Sequence, residues 1–496
     1  MNSTLNNLID AEKKAANLFL EIESQGLLEP GKSEKEINHS IFDLAFKMYG
    51  IKKYWHKRIV RCGKNTLQPY NENPENLILQ KDDILFIDFG PIFEEWEADF
   101  GRTYVIGNDP HKIKLKNDIE SAWHECKAYF ETQKEITGSA LYSYVTNLAN
   151  QYNWEFGGEI AGHIIGHYPH EKLEKELAEF TSKESAYLLN FGYQGILSTI
   201  DSLVSKNDII VYDIDAHACI VDGVRLHLGK RFTYQHNDMK SLEKNLERAT
   251  KMAEQTGGGI LVISEGVFGM RGEQGKLKEI VQMKNKFKFR LVVDDAHGFG
   301  TLGKTGAGTG EEQGVQDQID VYFATFAKSM ASTGAFISGD TEIIGYLRYN
   351  MRSQMFAKSL QIQLVIGALK RLELLKTKPE LKNKLWENVN MLQSGLKERG
   401  FDIGSTQSCV TPVYLEGSVP EAMALVRDLR ENYQIFCSIV VYPVIPKGLI
   451  LLRLIPTSSH NEEDINETLD AFASIREKLE SGIYKSAPEG VGKSVN

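Results

Sequence analysis

A chain of 496 residues is long enough for more than one domain, and a hydrophobic fraction of 42% can fill large buried cores. The formal net charge of -10 disfavours binding to nucleic acid or to an anionic membrane surface. No signal peptide is visible, no apolar run approaches the ~20 residues of a spanning helix, and the scattered cysteines suit a reducing compartment. We therefore expect a cytoplasmic protein without stable membrane insertion.

The first part of the chain has a helical pattern. Apolar side chains recur at helical spacing at Leu8, Ala11, Ala15, Leu18 and Ile22. A second helix is predicted over 34–49, and further helices over 114–133 and 138–152. Between them, residues 83–90 form an apolar strand that contains Asp88, and residues 96–106 are predicted to be its hairpin partner.

From about Ser182 onwards, predicted strands alternate with helices. The strands cover 209–213, 259–264, 290–294 and 321–325, and the helices cover 239–256 and 275–287. This alternation predicts an α/β fold with a parallel sheet and helices on both faces. After a long helix over 379–399 the strands are shorter, which is typical of a small α+β lobe.

Polar side chains follow the predicted strands of this second part. Asp294 ends one strand, Lys328 follows another, and His217 follows a third. In open α/β sheets, ligands bind at the carboxyl ends of strands. Each residue alone has an ordinary explanation, such as a loop cap or a surface lysine, but the set indicates a site. A lysine that forms a Schiff base and a carboxylate that keeps a pyridine nitrogen protonated are what pyridoxal phosphate (PLP) requires.

Six stretches carry a family resemblance. They are DAHACIVDG (215–223), SEGVFGM (264–270), VDDAHG (293–298), TFAKS (325–329), YPVIPKG (442–448) and LRLIPTSSH (452–460). Together they resemble the α-oxoamine synthases, which are PLP enzymes of the fold-type I, aminotransferase-like class. The resemblance is greatest to bacterial serine palmitoyltransferases and implies a homodimer that acts in sphingolipid biosynthesis.

The resemblance also implies a role for each site residue. Lys328 would bind the cofactor covalently and move the α-proton of the substrate, and Asp294 would pair with the pyridine nitrogen. His297 would contact the phenolic oxygen of the cofactor, and His217 would stack on its ring. The phosphate would be held by Thr325, by the backbone at Gly192 and Tyr193, and by Ser359 of a partner subunit. Arg453 would bind the carboxylate of the amino acid. In many relatives a serine stands at the position of Gly269, so that contact would be missing here.

Residues 1 to about 171 resemble a different family, the creatinase and methionine-aminopeptidase metallopeptidases with the pita-bread fold. Asp88 and Asp99 lie on the predicted hairpin, and AGHIIGHYPHE (161–171) follows later. The family match implies metal ligation by Asp88, Asp99 and His163, and substrate contact by His170. The family adds two glutamates from later strands, and this chain reaches PLP-enzyme sequence before those strands. Three ligands bind a hard divalent ion weakly, so we expect vestigial ligands and no divalent-metal cofactor.

Both resemblances meet in HEKLEKELAEF (170–180), without a Pro/Gly/Ser linker between them. We therefore expect a junction inside both folds: an incomplete pita-bread α+β segment over 1–171, a large PLP-binding domain over 172–370 without its usual opening segment, a small lobe over 371–485 and a flexible tail over 486–496.

The leading hypothesis is a PLP-dependent C-acyltransferase. It would condense L-serine, or another small amino acid, with an acyl-CoA and release CoA and carbon dioxide to give a 2-amino ketone. Two alternatives stay open at this point. One is a metal-dependent aminopeptidase of the creatinase or Xaa-Pro type, and the other is an inactive chimera that binds PLP. Because the opening segment is missing, we expect slow α-proton exchange with serine and a condensation far weaker than in an intact relative.

Overall fold

The computed structural model describes residues 3–70, 72–133, 135–158, 160–162, 165–166, 168–442 and 444–486. These residues form two compact units, with the boundary between Lys172 and Leu173. None of the helices in this described part combines the length and the apolar character that crossing a bilayer requires.

The N-terminal unit combines helices with a small antiparallel sheet. Its helices are α1 (Ser3–Ser24), α2 (Glu34–Tyr49), α3 (Pro110–Thr132) and α4 (Gly138–Gln151). Its strands are β1 (Ile59–Cys62), β2 (Ile84–Phe89), β3 (Ile92–Phe93), β4 (Trp96–Glu97) and β5 (Phe100–Val105). The sheet order is β1-β2-β5, and β3 pairs separately with β4. The strand expected over 96–106 is therefore two strands, because the N–H of Ala98 bonds to Pro91.

Local sequence explains the limits of α2. Ser33 and Glu36 form a capping box at its start, and Gly50 ends it with a φ of 68°, in the left-handed region. The apolar face of this helix, with Ile37 and Ile41, is buried in the same core as the predicted apolar stripe of α1. The helix predictions for this part of the chain are confirmed.

The C-terminal unit contains a large sheet domain and a smaller lobe. Helix α5 (Pro169–Phe180) contains the boundary between the units. The large domain continues with β6 (Ser185–Leu189), α6 (Gly192–Leu203), β7 (Ile209–Asp213), α7 (Ala218–Leu226), β8 (Lys230–Tyr234), α8 (Met239–Thr256), β9 (Ile260–Glu265), α9 (Leu277–Gln282), β10 (Arg290–Asp294), α10 (Thr309–Glu312), β11 (Val321–Thr325), β12 (Ala335–Gly339), α11 (Thr341–Asn350), α12 (Arg352–Met355) and α13 (Ile362–Thr377).

The large sheet has the order β6-β12-β11-β10-β9-β7-β8. The expectation of a parallel sheet was wrong for one strand, since β12 runs antiparallel to both β11 and β6. The connection 326–334 is too short for a helical crossover, so the chain turns back beside β11. The helix predicted over 275–287 is also shorter, because α9 ends at Gln282 and a 3-10 turn follows over Met283–Asn285.

The small lobe confirms the expected α+β composition. It contains α14 (Pro379–Glu398), β13 (Thr411–Glu416), α15 (Val419–Asn432), β14 (Ser438–Val440), β15 (Leu449–Leu454) and α16 (Glu462–Glu480). Its antiparallel sheet has the order β13-β15-β14. Two core clusters fill the large domain and a third fills the small lobe. These cores hold the strand ends that carry the site.

Candidate active site

Four adjacent strands of the large sheet end in polar residues. Strands β7, β9, β10 and β11 run parallel to one another and end at Asp213, Glu265, Asp294 and Thr325. Parallel neighbours bring their carboxyl ends to the same edge of a sheet. The structure therefore places Asp294 and Thr325 at one edge, together with the segments that contain His217 and Lys328.

Asp294 is a buried carboxyl group, with 5% of its surface exposed. Its Oδ1 accepts a hydrogen bond from the N–H of Ala296 at 3.1 Å, and the Cys219 thiol lies 3.8 Å from its Oδ2. Burial, together with the charge of Asp295, raises the pKa of Asp294 to about 7. A cation opposite this group would stabilise its charged form.

Two basic side chains, those of Lys328 and Arg453, also belong to this site. Burial lowers the pKa of Lys328, and the charge of Arg453 lowers it further, against the opposing effect of Asp294. Burial with the charges of Lys328, Arg453 and His217 lowers the pKa of His297 to about 3. An amine with a lowered pKa is more often in its neutral, nucleophilic form. Lys328 is thus suited to form a covalent bond with an aldehyde.

A phosphate cradle lies at the start of α6. A Cβ added to Gly192, the first residue of this helix, would come 2.8 Å from Oγ1 of Thr325. The Thr325 hydroxyl donates to the carbonyl of Gly334 at 3.1 Å and accepts from the N–H of Ala327 at 3.2 Å. The N–H groups at a helix start favour phosphate, and the absent side chain of Gly192 lets it approach. Tyr193 follows, half-exposed, and its hydroxyl donates to Asp222.

Arg453 projects from strand β15 of the small lobe. Its Nη1 donates to the carbonyl of Gly269 at 2.8 Å, and its buried Nε has no hydrogen-bond partner among the described residues. A guanidinium group with a free donor fits a carboxylate. Ser359 is exposed, and its contact with a partner subunit's site stays a prediction.

These features fit PLP. The cradle at Gly192 and Thr325 suits its phosphate, the buried carboxyl of Asp294 suits its pyridine nitrogen, and Lys328 suits its aldehyde. His217 caps the start of α7, and burial with the charges of Lys328 and Arg453 lowers its pKa. The neutral ring that results can stack on a flat, positively charged cofactor.

The N-terminal unit holds a smaller cluster. Ligand atoms of His56, Asp88 and Asp99 lie within 4.8 Å of one another. The His56 Nε2 lies 3.5 Å from Asp99 and 3.8 Å from Asp88. His163 lies outside the described residues. A three-member set does not fit the two-metal centre of the metallopeptidases, which needs more oxygen and nitrogen ligands.

Sequence reasoning missed three residues near these sites. Glu265 ends β9 in register with Asp294, and a carboxylate at a strand end was a visible signal. Cys219 is two residues beyond His217, where a thiol gives no signal of its own. His56 lies in an irregular segment before β1, and no spacing relates it to Asp88 or Asp99.

Comparison with family models gives two matches. The model of aminotransferase class I and II matches residues 157–472, and the model of metallopeptidase family M24 matches residues 6–189. Both models therefore match the stretch 157–189, which contains helix α5.

Individual relatives are similar to this chain over about two thirds of its length. The cysteate-C-fatty acyltransferase of Capnocytophaga ochracea is 73% identical over 317 residues, which are 64% of this chain and 76% of that protein. The serine palmitoyltransferase of Sphingobacterium spiritivorum is 34% identical, over 63% of this chain and 76% of that protein. Among solved structures, the Sphingomonas wittichii serine palmitoyltransferase matches with a TM-score of 0.59 at 32% identity, over 64% of this chain and 77% of that one.

Proposed function

The chain belongs to the aminotransferase class I and II family of PLP-dependent enzymes, and from this premise we propose that it condenses L-cysteate with a fatty acyl thioester. The broader activity, acyl condensation of the α-oxoamine synthase type, is supported by relatives with acyltransferase, palmitoyltransferase and oxononanoate synthase activities. The choice of L-cysteate rests on the relative at 73% identity, because relatives named for serine are only about half as similar, at 34%.

The charges of the site support an amino acid with two acidic groups. Burial and the charge of Arg453 lower the pKa of Lys328, and burial with the charges of Lys328 and Arg453 lowers the pKa values of His217 and His297. Excess positive charge in a partly buried site favours an anionic ligand. L-cysteate carries a sulfonate besides its carboxylate, whereas L-serine carries a hydroxyl. The single observation that carries the proposal is the 73% identity to a cysteate-C-fatty acyltransferase, and the positive charge of Lys328 and Arg453 agrees with it.

PLP supplies an electron sink that stabilises negative charge at the α-carbon of the amino acid. In the proposed reaction Arg453 binds and orients the carboxylate of that amino acid. The amine of Lys328 removes the α-proton, and Asp294 holds a proton on the pyridine nitrogen. His217 covers one ring face and excludes water from it.

The condensation balances with one proton taken up from water: the α-proton that Lys328 removes goes to the departing thiolate, and a proton from water replaces the carboxylate. A carbon–carbon bond forms between the α-carbon and the thioester carbonyl carbon, and the carbon–sulfur bond breaks to release the thiol. The carboxylate then leaves as carbon dioxide, and a proton takes its place on the α-carbon. We assign the delivery of that proton to Lys328, the group that removes the α-proton. The product is a 2-amino ketone that retains the sulfonate.

Parallel assays with L-cysteate and L-serine test the proposal. Purified protein with PLP and palmitoyl-CoA should release CoA at least about tenfold faster with L-cysteate. Lys328→Ala should abolish this release, and Lys304→Ala, at an exposed lysine, should not. Faster turnover of L-serine would make the protein a serine acyltransferase. Proton exchange without CoA release would indicate a PLP-binding protein that cannot condense.

We also propose a homodimer in which Ser359 of the partner subunit contacts the cofactor phosphate. Ser359 is exposed on its own chain, which leaves its hydroxyl available to a second copy. Ser359→Ala should weaken PLP binding in the dimer. A monomeric protein with full PLP affinity would contradict this arrangement.

A further inference from the structure

Two carboxyl groups stand side by side at the site. Asp294 on β10 and Glu265 on β9 are paired in register, and each has only 5% of its surface exposed. Charges of Asp213 and Asp215, which lie at and after the end of β7, also act on Glu265. Two carboxyl groups that are buried side by side do not both ionise easily, so one of the two tends to keep its proton.

Glu265 also holds the segment that carries His217. The backbone N–H of His217 donates to Oε1 of Glu265 at 2.6 Å. This bond fixes the residue that starts α7 and therefore fixes where its imidazole ring stands. Since the N–H is satisfied by a side chain from another strand, loss of that side chain would leave this part-buried donor without its partner.

Cys219 links the same histidine to Asp294. Its thiol lies 2.8 Å from Nδ1 of His217 and 3.8 Å from Oδ2 of Asp294. The backbone N–H of Cys219 donates to the same Nδ1 at 3.3 Å, which makes Nδ1 an acceptor and puts the proton of a neutral ring on Nε2. Polar contacts thus run from Glu265 to His217, from His217 to Cys219 and from Cys219 to Asp294, around the position proposed for the cofactor.

We propose that Glu265 and Cys219 are positioning residues: Glu265 keeps the proton of the carboxyl pair, so that the negative charge stays on Asp294, and both residues fix the His217 ring. The inference rests on the proposed function, because it assigns these residues to the groups that hold PLP. Burial and the charge of Asp294 raise the pKa of Glu265 well above its ordinary value, which favours the protonated form of this carboxyl group.

Matched substitutions at the two carboxyl groups test the first half. Glu265→Gln replaces a neutral acid by a neutral amide and should leave PLP affinity and the pH dependence of the visible band of bound PLP unchanged. Asp294→Asn makes the same chemical change at the neighbouring position and should alter both. Glu265→Ala removes the acceptor for the His217 N–H and should weaken PLP binding by about tenfold, the effect of one lost hydrogen bond.

Substitutions of the thiol test the second half. Cys219→Ser keeps a hydrogen-bonding group and should retain the dichroism of bound PLP, which reports the asymmetric stacking of His217. Cys219→Ala should reduce it, while Cys437→Ala, at a buried cysteine of the small lobe, should not. The inference is overturned if Glu265→Gln shifts the band as Asp294→Asn does, or if Glu265→Ala and Cys219→Ala both match wild type. Absence of any PLP band in the wild-type protein would instead refute the proposed function.

Discussion

The two units of this chain each gather carboxylates and histidines at the ends of strands, with different results. In the C-terminal unit, groups from adjacent parallel strands and from a lobe strand surround one position, with Asp294, Thr325, Lys328 and Arg453 among them. In the N-terminal unit, the ligand atoms of Asp88 and Asp99 cluster with those of His56 among the described residues. The groups of the C-terminal site differ in chemistry and can bind the separate parts of a cofactor. Two carboxylates and one imidazole can instead form hydrogen bonds with one another.

The two clusters also differ in burial, and the C-terminal one is the more deeply buried. Asp294 and Asp295 are buried, and their pKa values are raised to about 7 and about 6. Asp88 and Asp99 are partly exposed, and His56 lies beside them. Burial lowers the pKa of His56, but the hydrogen bond to Asp99 and the charges of both carboxylates raise it by more, so the net shift is upwards. Buried carboxyl groups with strongly shifted pKa values, as in the C-terminal site, are typical of a functional centre.

The largest expected effect is that of Lys328→Ala. Loss of the amine removes both the covalent attachment and the proton-transfer group, so α-proton exchange should fall by at least about 10³-fold. The fold should stay intact, because Lys328 is exposed and contributes no core volume. Exchange can be followed by deuterium uptake at the amino acid, and exchange at the wild-type rate would show that another group acts as the base.

A smaller effect is expected from Arg453→Lys. Lysine keeps the charge but loses the planar fork that binds a carboxylate in two places, so KM for the amino acid should rise by about 10-fold to 100-fold. The KM for the acyl thioester should not change, which serves as the internal control. Equal changes in both constants would indicate a general loss of site structure.

The cofactor-free protein should become less stable as the pH rises. The folded-state pKa of Asp294 is raised from 3.8 to about 7, so the folded state binds this proton more tightly than the unfolded state. The stabilisation is present below pH 3.8 and is lost as the pH rises through about 7. Thermal unfolding of wild type and Asp294→Asn across this window should show a steeper decline for wild type, and parallel curves would contradict the assignment.

The smallest effect is expected in the N-terminal unit. Asp88→Asn should leave CoA release unchanged, and added Mn²⁺ or Co²⁺ should not produce cleavage of an Xaa-Pro peptide. Within the described part of the chain, the cluster has three members, fewer than a two-metal hydrolytic centre needs. Metal-dependent cleavage that Asp88→Asn abolishes would show that further ligands are recruited and that the two units are more alike than we describe.

Most of the fold could be predicted from periodicity and turn residues. The limits of α2 and α8 follow from the sequence, because Gly50 and Gly257 end them in the left-handed conformation. The direction of β12 was not predicted, although the short connection before it was a sufficient signal. Residues 96–106 form two strands rather than one because the N–H of Ala98 donates to the carbonyl of Pro91, a bond that no local sequence pattern predicts.

The site was predictable where residues follow strands, and less so where the register matters. Asp294, Thr325 and Lys328 could be selected because each stands at or after a strand end. That Glu265 lies beside Asp294 depends on the pairing register of β9 and β10, which is a tertiary property. His56 reaches Asp99 because Gly90 leaves room for it, with a Cβ there only 2.3 Å from the His56 ring.

The central claim is that the C-terminal unit is a PLP-dependent catalyst with Lys328 as the attachment point. The most direct measurement is borohydride reduction of the purified protein with PLP, followed by digestion and mass spectrometry. We predict a single reduced pyridoxyl group on the peptide that contains Lys328. Modification of another lysine, or no stable adduct at all, would contradict the account.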